Sequence, residues 1–235
     1  MKKILITVMA LILIAAFPSC GGPSEEPTSQ VVIFQDNVLE EKIREAMDRP
    51  EGDITIAEAE AVTSFDFEMD GSDWSLPRIE NISDLKQFKN LTGLNLNWAL
   101  YDSDNDFDLS PLSGLTNLER LYICCDSISD ISALSKLTNL ADLWIWGNGN
   151  IKDISALSNM TKMESLWIKT NSISDISPLS NMKKLEYLYM ENNQVTDLSP
   201  LSGLTNLHYI LLSGNPVTDY SPLDSIYQNL EEKDF

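Results

Sequence analysis

Between Val62 and Leu230 the apolar positions of the chain recur about every 22 residues, with enough detail to define a register. Units opening at Leu118, Leu140, Met163, Leu185 and Leu207 share one template. Apolar residues stand at positions 1, 4 and 6, Asn or Asp at 9, Ile or Val at 11, Asp at 13, an apolar or aromatic residue at 14 and Leu at 17. Leu185, Leu188, Met190, Asn193, Val195, Asp197, Leu198 and Leu201 show the template cleanly. Successive openings are 22, 23, 22 and 22 residues apart, the extra residue falling in Gly147-Asn148-Gly149-Asn150. Two looser units precede them. One opens at Leu91, Leu94 and Leu96 and rejoins the template at Asp108-Leu109 after a five-residue insertion. The other opens at Val62, Phe65 and Phe67 and rejoins at Ile79 and Ile82 after a seven-residue insertion, giving seven units in all.

Positions 4 and 6 alternate with polar or aromatic neighbours, the period of a short strand with one buried face. The Asn at position 9 has donors and an acceptor for the backbone of its own and neighbouring turns, which a tight bend would leave unsatisfied. The Asp at position 13, followed by Ser-Pro or Ser-Ala, suits a turn, and the run after it is too short for an α-helix, so a 3₁₀ turn is expected. One such unit cannot bury its own apolar row, whereas stacked units share a continuous core, so the period means a solenoid. Terminal units need covering. Upstream, Val38, Leu39, Ile43, Ala46 and Met47 form one apolar helical face fit for that task.

These residues resemble the leucine-rich repeats of the bacterial internalin family, whose unit reads LxxLxLxxNxIxDIxPLxxLTN. The stretches Leu112 to Asn117, Leu134 to Asn139 and Leu201 to Asn206 match the end of that unit. The segment from Phe34 to Met47, followed by Gly52-Asp53-Ile54-Thr55, looks like the helical cap that precedes such repeats. The resemblance implies an α/β fold, a leucine-rich-repeat solenoid of 22-residue units with a concave parallel sheet and a convex side of 3₁₀ turns. It places the cap at 31–61, the repeats at 62–223 and a short C-terminal end at 224–235. It also implies a binding role, without naming the partner.

Residues 1–20 read differently. Lys2 and Lys3 precede an apolar run from Ile4 to Phe17, then Pro18-Ser19-Cys20. A basic start, a short apolar core and small residues describe a secretory signal too short for a comfortable membrane span. Cys20 at the boundary suggests a lipoprotein signal, with Cys20 as the acylated N-terminus and residues 21–30 as a flexible tether. Simple secretion is the alternative. The expected location is therefore the cell envelope or surface, with the membrane touched through the lipid anchor alone. Without Lys2 and Lys3 the formal charge moves from −20 to −22, which argues against nucleic acid or an anionic lipid surface as partner. Cys124 and Cys125 are adjacent and cannot staple distant parts of the fold. They read as small residues tolerated at positions 7 and 8, or as a redox or soft-metal pair.

Catalytic chemistry is scarce. The chain has one histidine, His208, and no phosphate-cradling glycine loop, zinc spacing or nucleophile elbow. No enzyme activity and no obligate cofactor are expected. The insertion Tyr101 to Asp108 puts carboxylates at every second position, so Asp102, Asp104 and Asp106 are candidate calcium ligands, although Phe107 and Ser113 stand where a calcium loop needs Gly and Glu. Asp70 and Asp73 of the preceding insertion should lie beside them; a plain solvated edge explains the same residues.

The sharper signal is at outward positions. Position 5 carries Tyr122, Trp144, Trp167 and Tyr189, then Leu211; position 7 adds Trp146, position 3 adds Tyr187 and Tyr209, and Trp98 stands at position 8. Contiguous exposed aromatic area marks interaction sites, and Tyr and Trp dominate hot spots. Aromatics that simply suit strands and cover one another are the bland alternative. The readings left open are recognition of a protein partner, binding of a glycan by rings in a row, and a purely structural envelope role.

Overall fold

The computed structural model describes residues 30–69, 73, 75–101, 106–146 and 149–235; Cys20 and the tether lie outside them. Each described repeat contributes one short strand: β1 (Ser64–Asp66), β2 (Gly93–Asn95), β3 (Arg120–Cys124), β4 (Asp142–Trp146), β5 (Ser165–Trp167), β6 (Tyr187–Tyr189) and β7 (Tyr209–Leu211). An eighth strand, β8 (Glu232–Lys233), follows the last repeat. All eight lie in one sheet in chain order, each parallel to the next. The register repeats the sequence template. Leu121, Leu143, Leu166, Leu188 and Ile210 pair across the sheet at position 4, and Tyr122, Trp144, Trp167, Tyr189 and Leu211 at position 5.

The core lies behind the sheet. In the unit from Leu185, the residues Leu185, Leu188, Met190, Val195, Leu198, Leu201 and Leu204 are all fully buried, so every apolar position of the template points inward. The opposite wall is a row of 3₁₀ turns, among them Ser110–Gly114, Ser132–Lys136, Ser177–Asn181 and Ser221–Leu223. The Asp before each starts the turn. Asp130, Asp153, Asp175 and Asp197 each accept a 2.8 Å hydrogen bond from the backbone N–H of the Ser two residues on. That bond holds the carboxyls of Asp130, Asp153, Asp197 and Asp219 below the usual range, because it favours the charged form.

The position-9 asparagines form the inner ladder. Asn193 donates to the carbonyls of Ile168 and Met190, both at 3.0 Å, and accepts from the N–H of Ile173 at 3.1 Å, so one side chain ties adjacent units together. Asn215 does the same for Met190, Leu212 and Val195. A second ladder runs through the last residue of each unit: Asn117, Asn139 and Asn206 donate to the carbonyls of Lys89, Thr116 and Lys183 in the unit before.

The N-terminal end is closed by α1 (Asn37–Ala46) and α2 (Ile56–Ala61). Asp36 accepts from the N–H of Leu39, and its other oxygen accepts from the N–H groups of Glu80 and Asn81, so the cap of α1 also clamps the first repeat. A capping box of Thr55 and Glu58 opens α2. Leu39 and Ile43 are fully buried, while Val38 and Met47 pack at the edge of the core. Ala46, expected on the buried face, is exposed, since its one-carbon side chain does not span to the core that the longer Met47 side chain beside it reaches.

The short C-terminal end carries structure of its own. β8 pairs with β7, Asp234 accepts from the N–H groups of Leu212 and Ser213, and Phe235 stacks on Tyr220 at 4.7 Å. An edge strand that would present unpaired backbone groups is thereby covered.

Candidate functional site

Parallel pairing in register carries the position-5 side chains onto one line across the concave face. Ring centroids step 4.7 Å from Tyr122 to Trp144, 4.3 Å to Trp167 and 4.0 Å to Tyr189. Every step is shorter than the strand spacing of about 4.8 Å, as expected where side chains converge on the inside of a curve. The planes of Trp144 and Trp167 lie within 20° of parallel, so these rings cover one another's faces. Half-burial of all four follows, where the sequence led us to expect open exposure. What they offer solvent is largely their edges.

The other aromatic candidates join in two groups. Tyr187 and Tyr209 stack at 4.9 Å beside the ladder, and Tyr187 is the more exposed of the two. Trp98 meets Trp146 edge to face at 5.5 Å on the other side. Lys169 stands over both Trp146 and Trp167, with its Nζ 5.0 and 5.6 Å from their centroids, a cation–π arrangement the sequence did not reveal. All eight aromatic candidates thus share one face.

Polar groups tune that face. The Tyr122 hydroxyl donates to Asp142 at 2.6 Å. Burial, and then this bond to a carboxylate, push the Tyr122 hydroxyl far above its ordinary pKa, so it stays protonated. Tyr209 donates to Glu231 at 2.6 Å, and that bond, then the carboxylate's negative charge, pushes it up to about 12. Trp144 Nε1, Asp142 Oδ1 and Glu191 Oε2 are buried without a hydrogen-bond partner. Such atoms are few in folded proteins; these three, on or beside the strands that carry the ladder, comprise one donor and two acceptors.

Among the described residues, the remaining candidates belong to no group of three or more His, Cys, Asp or Glu side chains placed to hold a metal ion. Asp102 and Asp104 lie outside the described residues. Asp106 is described, and its carboxylate accepts from both the N–H and the hydroxyl of Ser129 in the next unit, a repeat-to-repeat tie. Asp73 accepts from Ser75 in the same way, within its own loop. Asp70 is outside the described residues. Cys124 and Cys125 are both buried, with Cys125 Sγ 3.2 Å from Ser127 Oγ. Position 7 was expected to face outward throughout; Cys124 and Asn97 are buried there instead, where Trp98 and Trp146, from the units on either side of Cys124, meet.

Sequence reasoning also passed over the acidic margin of the ladder, formed by Glu119, Asp142, Glu164 and Glu186. The signal was present: position 2 carries Glu in three units, Glu119, Glu164 and Glu186.

Comparison with known proteins agrees with this geometry. A family model described as leucine-rich repeats in two copies matches residues 116–159, 138–181, 161–203 and 183–225. No curated protein matches the sequence. Among solved structures, an internalin (inlF) from Listeria monocytogenes is similar at 36% identity and a TM-score of 0.77, over 87% of this chain and 58% of that one. The chain thus spans less than two thirds of that internalin. An internalin C2 (inlC2) from the same organism is similar at 25% identity and a TM-score of 0.68, over 90% of this chain and 99% of the other. With the repeat period, the strand register, the asparagine ladders and the helical cap, these matches show a leucine-rich-repeat solenoid similar to the internalin structures.

Proposed function

We propose that this chain recognises a protein partner through the aromatic ladder of its concave face and is held at a bacterial envelope by a lipid on Cys20. The observation that carries the first half is the in-register row of Tyr122, Trp144, Trp167 and Tyr189, flanked by Trp98, Trp146, Tyr187 and Tyr209. Leucine-rich-repeat proteins of the internalin type generally serve protein–protein recognition, and a repeat scaffold keeps such a row rigid, which lowers the ordering cost of binding. The ring stacking favours a protein over a glycan. A sugar packs on an open ring face, and the faces inside this ladder are taken up by neighbouring rings. Edges and half-buried rims suit the irregular apolar surface of a protein. An array of proteins and glycans probed with the purified chain separates the two: binders confined to the glycan spots would contradict the reading.

The anchoring half rests on the Lys2 and Lys3 start, the apolar run and Cys20. No helix among the described residues is long and apolar enough to cross a membrane. Expressed in a bacterium, the chain should partition into detergent and incorporate a labelled acyl chain, and Cys20→Ala should abolish both. Partitioning that survives Cys20→Ala, with no label on the wild type, would remove the lipid from the account.

A further inference from the structure

The aromatic ladder has two unlike margins. On the position-7 side stands Lys169, engaged with Trp146 and Trp167. On the side of positions 2 and 3, Glu119, Asp142, Glu164 and Glu186 surround a hollow of about 370 Å³ whose other walls are Arg120, Ala141, Ser165 and Tyr187. The small side chains of Ala141 and Ser165 leave room there for a long side chain. Glu119, Glu164 and Glu186 are exposed, as is the Tyr187 ring at its edge.

Glu164 and Glu186 have no ion-pair partner among the described residues. The Arg120 guanidinium lies over Gly93 of β2, where a Cβ would come 3.4 Å from its Nη2, on the far side of β3 from Glu164 and Glu186. The ion pairs among the described residues are Arg44–Glu40, Arg49–Glu58 and Lys89–Glu60, all well removed in the N-terminal part. Like charges held in a row beside an apolar strip make a directional field that attracts cations and repels acidic partners. Within the ladder the stacked rings cover one another's faces, and the one cation described over it, Lys169, stands on the position-7 side, away from the carboxylates.

We infer that the partner presents a basic protein segment: an apolar stretch on the ring edges, bordered on one side by Arg or Lys. The stem of that basic side chain lies along Tyr187, and its cation sits between Glu164 and Glu186. This rests on the aromatic-face reading and adds to it the charge and the orientation of the partner.

The test selects a random-peptide display library against the full chain at low ionic strength. The recovered peptides are titrated onto the wild type, the double variant Trp144→Ala/Trp167→Ala and the double variant Glu164→Gln/Glu186→Gln. Peptides combining Arg or Lys with apolar residues are expected. The Gln variant should bind them about tenfold more weakly, and the difference should shrink as salt is raised. Adhesion to the net charge of −20 as such would barely register the loss of two carboxylates. Recovered peptides without basic residues, or basic ones bound equally well by the Gln variant, overturn the inference; a loss in the Trp variant then leaves the aromatic face standing. Binding unchanged in the Trp variant overturns both. Both glutamates are exposed, so the Gln variant should keep the wild-type melting temperature, and that measurement separates lost binding from lost folding.

Discussion

Position 8 of the repeat is where the chain leaves the strand and turns, and it does so in the left-handed region. Trp98, Thr170 and Asn192 stand there at φ 59, 57 and 56°, and Gly214 at 76°. Gly and Asn adopt this conformation at little cost; a β-branched or bulky residue is strained in it. Thr170 is β-branched and exposed. Thr170→Asn, which gives that unit the residue its successor already has, should therefore stabilise the protein by about 1 kcal/mol, read as a higher denaturant midpoint with an unchanged slope. An unchanged midpoint would mean the turn is not strained. Gly214 shows the opposite case. Its φ excludes most side chains, and a Cβ would sit 2.3 Å from Asn192 Oδ1, so Gly214→Ala should destabilise. Trp98 holds the same left-handed conformation while its ring meets Trp146.

At the scale of the element, the unit from Leu185 was readable residue by residue, because its apolar spacing, its Asn and its Asp each have a single structural use. Two things escaped the sequence. β8 has only Leu230 and Phe235 as apolar markers, too few to show a period, and it is held by pairing with β7 and by the Asp234 carboxylate. The mutual covering of Trp144 and Trp167 also escaped, since alternation gives the side of the sheet and says nothing of how rings lean on a curved face. The Asp-to-Ser turns are legible in both, and they titrate. Their folded-state pKa values are lowered by the Ser N–H, so their contribution is present above the unfolded value of about 4 and is lost as pH falls through the folded one. Replacing Asp153, Asp197 and Asp219 together by Asn should flatten the fall in melting temperature below about pH 4. Charge repulsion relaxes with acid in both proteins, so the comparison of slopes isolates the turns. Parallel slopes would show that the turns do not couple to folding.

The whole molecule is a curved sheet with two properties kept on opposite faces: a continuous aliphatic core behind, and an aromatic row in front. The two are adjacent in sequence, as in Leu143-Trp144 and Leu166-Trp167, so paired substitutions separate folding from recognition. Leu143 and Leu166 are fully buried, and cutting either to Ala should cost about 2–5 kcal/mol. Trp144 stacks on two neighbours at about 0.5–1.5 kcal/mol each, so Trp144→Ala should weaken the fold by less and leave it cooperative. Truncating a hot-spot aromatic costs about 2 kcal/mol or more of binding, roughly thirtyfold in affinity. The decisive measurement is the affinity of the array-identified partner for Trp144→Ala/Trp167→Ala, taken beside its thermal melt. The account predicts a cooperatively folded protein that has lost at least about thirtyfold in affinity; a folded variant that binds like the wild type would place recognition on another surface and contradict it.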